Sequence, residues 1–155
     1  EGVFLKRKRI LEEKPLVITF EGSVVSGLGE GAYYMSRRGY RDQFIRKLGF
    51  KPFPGTLNLR LTPYKRRVRS ELNALPAVVI RGFESGRRTF GNVKCFPATI
   101  NDKVEGAVAL IDRTHHDESI IELIAPINLR SILGLKDGSR VKVKIDLMKS
   151  ASSNR

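Results

Sequence analysis

Short segments rich in β-branched residues, separated by glycine and proline turns, constrain the fold of this chain more than any other feature. The strand-like segments are residues 16–20 with 24–25, 57–61, 77–80, 87–100, 104–111, 120–124 and 141–145. Helical spacing is limited to residues 39–48, followed by Gly49, and to shorter stretches near 64–72 and 128–133. Because closure hides strand edges, the sequence predicts a mainly β small barrel with a few short helices.

One domain accounts for most of the chain. A length of 155 residues allows one hydrophobic core of ordinary size. Residues 1–14 contain the basic run KRKR and lack an apolar stripe, so we interpret them as a basic tail or the end of a linker. We place the domain at residues 15–147 and a polar C-terminal tail at 148–155.

The charge of the chain favours polyanionic partners. A net charge of +13 and a pI near 10.3 suit a nucleotide, a nucleic acid or an anionic lipid equally well. One cysteine rules out an internal disulfide, and neither a membrane-length apolar run nor a signal-type start is present. We therefore expect a cytoplasmic protein. The chain starts at Glu1, which leaves an upstream domain open.

The glycines at 27, 29 and 31 indicate a loop, and this pattern predicts contact with phosphate. A glycine-rich backbone approaches a ligand closely and directs successive N–H groups at phosphate oxygens. The loop lacks the Lys-Ser/Thr ending of a P-loop and the βαβ context of a dinucleotide-binding fold. A plain tight turn is the alternative explanation.

Thr56 and Asn58 follow a Pro-Gly turn and are two residues apart at the start of a strand. Residues at this spacing face the same side, so a hydroxyl and an amide oxygen could share one cation. Oxygen ligands suit Mg²⁺, which takes few protein groups and completes its shell with phosphate and water. Polar residues beside an ordinary turn are the alternative.

Other polar residues give weaker signals. Adjacent His115 and His116 point in opposite directions on a strand and lack a third ligand, so we do not predict zinc. Cys95 lies in an apolar segment, which favours packing over nucleophilic catalysis. Glu122 lies between two apolar residues, and the alternation alone favours contact with water.

Taken together, four motifs resemble the archaeal CTP-dependent riboflavin kinase family. They occur in register between about residues 15 and 147 and read GLGEGAY at 27–33, LGFKPFPGTLN at 48–58, RTHH at 113–116 and ELIAP at 122–126. The resemblance implies a six-stranded cradle-loop barrel of the riboflavin kinase type. It also implies a magnesium-dependent kinase that converts CTP and riboflavin into CDP and FMN.

Site residues follow from that resemblance, position by position. It implies that one Mg²⁺ per active site is held by Thr56 and Asn58, and that Thr114 and Glu122 contact the flavin. Glu122 is the only candidate we name for a general base, and that role is otherwise unassigned. The implied nucleotide-binding residues are Gly27, Leu28, Gly29, Glu30, Gly31, Ala32, Ile127, Asn128, Leu129 and Arg130.

Two other functional classes stay open. Residues 128–145 are similar to swapped-hairpin DNA-binding regulators, and basic residues at 6–9 and 65–69 would suit nucleic acid. A flavin-binding barrel without catalysis is the other class. We expect the protein to be a monomer that does not associate with a membrane. Its expected partners are riboflavin or FMN and CTP or CDP. Nucleic acid is expected only through the basic tail or an upstream domain.

Overall fold

A computed structural model describes residues 16–26, 37–111 and 118–152. Within these ranges the chain forms nine strands and four α-helices. The strands are β1 (Val17–Val25), β2 (Leu57–Leu61), β3 (Val78–Ile80), β4 (Phe83–Ser85), β5 (Arg88–Phe90), β6 (Val93–Ile100), β7 (Val104–Ile111), β8 (Ile120–Ile124) and β9 (Arg140–Asp146). The helices are α1 (Arg38–Leu48), α2 (Val68–Asn73), α3 (Leu129–Leu133) and α4 (Leu147–Ser152), with a 3₁₀ turn at Pro63–Lys65.

Six of the described strands close into an antiparallel barrel. The order around the barrel is β6-β7-β8-β2-β1-β9, and β9 returns to β6 through the pairs Ala98↔Ile145 and Ile100↔Val143. Closure leaves none of these six strands as a free sheet edge. The predicted mainly β, six-stranded barrel with short helices is therefore confirmed.

Alternating side chains fill the barrel interior. On β2 the three leucines point inward, while Asn58 and Arg60 point outward. β7 is buried on both faces, because its inward residues meet the barrel core and its outward residues meet α1 and β3. The largest inward-facing buried side chains are Phe20, Phe96, Leu59, Ile100, Ile121 and Leu123.

A second apolar cluster lies outside the barrel, under α1. Tyr40 and Phe44 of α1 are fully buried against it, and the Tyr40 hydroxyl donates to the Gly91 carbonyl oxygen at 2.5 Å. Gly49 ends the helix, as the sequence predicts. Cys95 is buried in this cluster, which confirms its packing position, and burial raises the pKa of its thiol.

The structure corrects the prediction of one continuous strand over 87–100. β4 and β5 form a separate two-stranded hairpin, and the predicted strand is interrupted between β5 and β6. At the break the Asn92 side chain accepts a hydrogen bond from the Gly82 N–H at 2.7 Å. This hydrogen bond joins the residues on either side of the β4–β5 hairpin, and Asn92 lies in neither β5 nor β6.

The helical stretch near 64–72 is also divided, into the 3₁₀ turn at Pro63–Lys65 and α2. α4 lies where the polar tail was expected to begin, and the Asp146 carboxylate accepts hydrogen bonds from the N–H groups of Met148 and Lys149. In the part of the chain that the structure describes, no helix is long and apolar enough to cross a membrane.

Candidate active site

The predicted site residues that the structure describes lie at one end of the barrel, where four strands begin or end. β2 begins there, with Leu57 opposite Leu123 near the end of β8. Asn58 lies opposite Val25, the last residue of β1. β9 begins at the same end, where Arg140 pairs with Ser23. Loops that are distant in sequence therefore meet at this end.

A cleft of about 220 Å³ opens between the Pro-Gly loop and the segment that follows β8. A backbone hydrogen bond from the Phe53 N–H to the Ala125 carbonyl oxygen, at 2.8 Å, holds its two walls together. Gly55 has a φ of 124°, a conformation that favours glycine. The lining residues are Phe53, Pro54, Gly55, Thr56, Leu57, Leu123, Ala125, Ile127, Asn128, Leu129 and Arg130. The cleft thus joins Thr56 to all four residues predicted at 127–130.

Thr56, Asn58 and Glu122 form a polar cluster beside this cleft. The Thr56 hydroxyl donates to Glu122 Oε1 at 3.2 Å, and Asn58 lies directly opposite Glu122 in the β2–β8 pair. Directly opposed residues have neighbouring side chains. The structure thus brings together residues that were predicted for two different ligands, the metal and the flavin.

Glu122 is buried, with 6% of its surface exposed. The prediction from alternation that this carboxylate faces water is wrong. It lies on the outer face of β8, where the side chain of Thr56, the residue just before β2, approaches it. A buried carboxylate requires hydrogen-bonding partners, and Thr56 is one of them. No pattern within residues 120–124 encodes that neighbour.

The cluster fits an oxygen-preferring cation. A hydroxyl, an amide and a carboxylate lie within one patch, and hard cations such as Mg²⁺ prefer oxygen ligands. Because the Thr56 proton points to Glu122, the lone pairs of its oxygen are free to accept a cation. The described residues include no group of three or more His, Cys, Asp and Glu side chains suited to a metal. A cation at this cluster would therefore need the side-chain oxygens of Thr56 and Asn58 as well as the Glu122 carboxylate.

The segment 127–130 serves the cleft in different ways. The Asn128 side chain caps α3 by accepting from the Ser131 N–H at 3.3 Å. Leu129 is buried and packs in the barrel core. Arg130 is half-buried, and its Nη2 lies 2.9 Å from Asp137 Oδ1. Among these residues, Arg130 is the one that brings positive charge to the cleft.

Asp137 is a neighbour of the site that was not predicted from the sequence. Its carboxylate accepts a second hydrogen bond, from the Ser26 hydroxyl at 2.5 Å. The hydrogen bond from Ser26, followed by that from Arg130, lowers the pKa of Asp137 below its usual value. Ser26 is 111 residues from Asp137 in the sequence, so no local pattern around Asp137 indicates that contact.

Several predicted site residues lie outside the described residues. They are the nucleotide-binding residues Gly27, Leu28, Gly29, Glu30, Gly31 and Ala32 and the flavin-binding residue Thr114. The described chain reaches Ser26, immediately before the glycine-rich segment, and Ser26 contacts Asp137. The described end of β1 therefore lies beside the partner of Arg130.

Comparisons with known proteins agree with the sequence resemblance. The family profile CTP-dep_RFKase, described as "Domain of unknown function DUF120", matches residues 24–145. A riboflavin kinase of Pyrobaculum islandicum is 52% identical over 132 residues, which are 85% of this chain and 62% of that protein.

Two further relatives carry the same name. The riboflavin kinase of Pyrobaculum aerophilum is 56% identical over 124 residues, 80% of this chain and 59% of that protein. The riboflavin kinase of Methanosarcina acetivorans is 46% identical over 142 residues, 92% of this chain and 60% of that protein. The chain spans about three fifths of the length of these relatives.

Proposed function

The chain belongs to the CTP-dependent riboflavin kinase family, and on that premise we propose that it phosphorylates riboflavin with CTP. The observation that carries the proposal is the cleft in which Thr56 meets residues 127–130, with Glu122 beside it. Phosphoryl transfer depends mainly on positioning and on neutralising phosphate charge. A cleft with one cationic side chain and an oxygen cluster at its edge suits that requirement.

The proposed reaction is a direct transfer. The 5′-hydroxyl oxygen of the ribityl chain forms a bond to the γ-phosphorus of CTP, and the bond between that phosphorus and the β–γ bridging oxygen breaks. CDP leaves with the bridging oxygen, the hydroxyl proton is released, and the products are FMN and CDP. No covalent enzyme intermediate is required, which agrees with the burial of Cys95 away from the cleft.

The nucleotide end of the cleft is assigned to residues 127–130 and to the glycine-rich segment 27–32. Arg130 can donate charge-assisted hydrogen bonds to phosphate oxygens. Its half-buried position shields such bonds from salt better than a fully exposed one would. Phe53 and Ile127 supply apolar wall, which limits the access of water to the transferring group.

We assign Thr56 and Asn58 to the binding of one Mg²⁺ per active site. Magnesium held there would neutralise charge on the phosphate oxygens of the bound nucleotide. The Thr56–Glu122 hydrogen bond fixes the hydroxyl in one orientation before any ligand arrives. Such preorganisation reduces the ordering that binding would otherwise require.

The flavin side of the site is assigned to Glu122 and Thr114. The Glu122 carboxylate can accept a hydrogen bond from a hydroxyl of the substrate, and it lies beside the residues assigned to magnesium. Glu122, assigned to the flavin, and Asn58, assigned to magnesium, lie directly opposite each other on the adjacent strands β8 and β2. Glu122 is also our candidate for the group that takes the ribityl proton, a role that requires hydrogen-bond reach of that hydroxyl.

Several parts of the account stay predictions: a monomeric, cytoplasmic enzyme, and any nucleic-acid contact through residues 1–14 or an upstream domain. The DNA-binding alternative for residues 128–145 receives no support from a specific contact. β9 pairs with β1 and β6 of its own chain and closes the barrel. The segment is thus accounted for by the fold itself.

The test is a riboflavin phosphorylation assay in which FMN is separated by chromatography. We expect FMN with CTP and Mg²⁺, much less with ATP, and none without a divalent cation. The variants Thr56→Ala and Asn58→Ala should lose turnover while still binding riboflavin. Thr99→Ala is a matched control, because Thr99 also donates to a glutamate, Glu105 at 2.9 Å, outside the cleft. Binding of riboflavin without turnover by the unaltered protein would favour the non-catalytic flavin-binding alternative.

A further inference from the structure

Asp137 joins two parts of the site that are far apart in sequence. One carboxylate oxygen accepts from the Ser26 hydroxyl at 2.5 Å, and the other lies 2.9 Å from Nη2 of Arg130. Ser26 is the last described residue before the glycine-rich segment, and Arg130 lines the cleft. A single side chain therefore joins the end of β1 to a residue that lines the cleft.

The backbone around Asp137 is itself fixed to β1. The Gly138 N–H donates to the Val24 carbonyl oxygen at 2.7 Å, and the Val24 N–H donates to the Ser139 carbonyl oxygen at 2.9 Å. The turn is closed by a hydrogen bond from the Ser139 N–H to the Lys136 carbonyl oxygen, also at 2.9 Å. The carboxylate thus projects from a turn that is held by the barrel.

We propose that Asp137 is a positioning residue that orients Arg130 for the phosphate groups of the nucleotide and is itself held at the end of β1 by Ser26. The inference rests on the proposed function, since it concerns the nucleotide end of that site. Arginine has several N–H donors in a rigid fork. The contact with Asp137 uses Nη2, which leaves the other donors of Arg130 for phosphate oxygens.

Asp137 itself does not line the cleft, so it acts through its two partners. Without the carboxylate, the long arginine side chain would sample several rotamers, and binding would have to order it again. The expected consequence is weaker nucleotide binding, with little change in flavin binding. A general loss of stability would weaken the binding of both substrates rather than that of the nucleotide alone.

The first experiment compares Asp137→Asn with Asp102→Asn in the full chain. Asp102 is a matched control, because it is an exposed aspartate that pairs with Lys142 at 3.2 Å and does not line the cleft. For Asp137→Asn we expect the KM for CTP to rise about fivefold, the size expected for a partly exposed ion pair. The KM for riboflavin and the thermal midpoint should match those of the control.

A double-mutant cycle tests whether the effect passes through Arg130. In an Arg130→Ala background, Asp137→Asn should change the KM for CTP by less than about twofold, because interacting residues are not additive. An equal effect of Asp137→Asn in both backgrounds would overturn the role in positioning Arg130. An unchanged KM for CTP in Asp137→Asn alone would overturn it as well.

A measurement without nucleotide separates this inference from the proposed function. The ¹⁵N relaxation of Arg130 Nε reports the order of the guanidinium group on the picosecond to nanosecond timescale. We expect an ordered group in the unaltered protein and in Asp102→Asn, and a disordered one in Asp137→Asn. If no FMN forms with any nucleotide, the kinase proposal fails, and this signal still decides whether Asp137 positions Arg130. Equal order in all three proteins would overturn the inference.

Discussion

Replacing Thr56 by valine removes one hydroxyl and keeps the branched shape of the side chain. In the structure that hydroxyl donates to Glu122 Oε1 at 3.2 Å, and Glu122 is only 6% exposed. The same oxygen is one of the two groups that we assign to magnesium. The substitution therefore affects the stability of the barrel and the chemistry of the site in ways that can be measured separately.

The effect on stability follows from a lost hydrogen bond to a buried carboxylate. Such a bond contributes about 1–2 kcal/mol to the free energy of unfolding. For a chain of this size, that loss lowers the midpoint of thermal unfolding by about 2–8 °C. Thr99→Val should cost less, because the partner of Thr99, Glu105, is exposed and stays hydrated.

The effect on activity should be larger. Loss of a metal-binding group typically lowers metal affinity or turnover by at least about 10–100-fold. We therefore expect the Mg²⁺ concentration for half-maximal FMN formation to rise at least about tenfold in Thr56→Val. Thr56→Ser keeps the hydroxyl, so its Mg²⁺ requirement should stay well below that tenfold increase.

The assay is a magnesium titration of FMN formation at saturating CTP and riboflavin, together with thermal unfolding of each variant. A Thr56→Val protein with the magnesium dependence of the unaltered protein would refute the assignment of Thr56 to the metal. A normal midpoint with lost activity would instead mean that the Glu122 contact contributes little to stability. The assignment is supported if Thr56→Val needs more Mg²⁺ for FMN formation while Thr56→Ser keeps nearly the magnesium dependence of the unaltered protein.

Four further outcomes are expected. Glu122→Gln should raise the KM for riboflavin about tenfold by removing a charged acceptor, as measured by steady-state kinetics. The buried thiol of Cys95, whose pKa is raised by burial, should react with an aromatic disulfide reagent only after unfolding in guanidinium, as followed by absorbance. Gly106→Ala would push a Cβ against the Ile124 carbonyl oxygen, closer than van der Waals contact allows, and should lower the free energy of unfolding by about 1–3 kcal/mol in urea titration. The pKa of Asp137 is lowered by Ser26 and Arg130, so the carboxyl group should take up its proton, and lose its bridge, at a lower pH than an aspartate without these partners. A ¹³C NMR titration of the carboxyl group measures this.

The barrel was largely predictable, because its strands carry their pattern locally. β7 and β8 have the bounds that the apolar segments 104–111 and 120–124 predicted. Closure followed from the need to hide strand edges. The break before β6 was not predictable, since it depends on the hydrogen bond between Asn92 and Gly82 across the β4–β5 hairpin.

The site was predictable where the spacing of residues decides which way they face. Thr56 and Asn58 are two apart, and both lie next to Glu122. The burial of Glu122 was not predictable from its own strand, because the residue that contacts it, Thr56, lies in the segment just before β2. The contact of Ser26 with Asp137 joins residues 111 positions apart, and no local pattern encodes such a contact.

The central claim is the transfer of the terminal phosphoryl group of CTP to riboflavin. The most direct measurement incubates the full chain with riboflavin, Mg²⁺ and CTP labelled at the γ-phosphorus, and separates the products by chromatography. We predict that the label appears in FMN, in an amount equal to the CDP formed. Label that stays in CTP or appears only as inorganic phosphate, with a folded protein, would contradict the account.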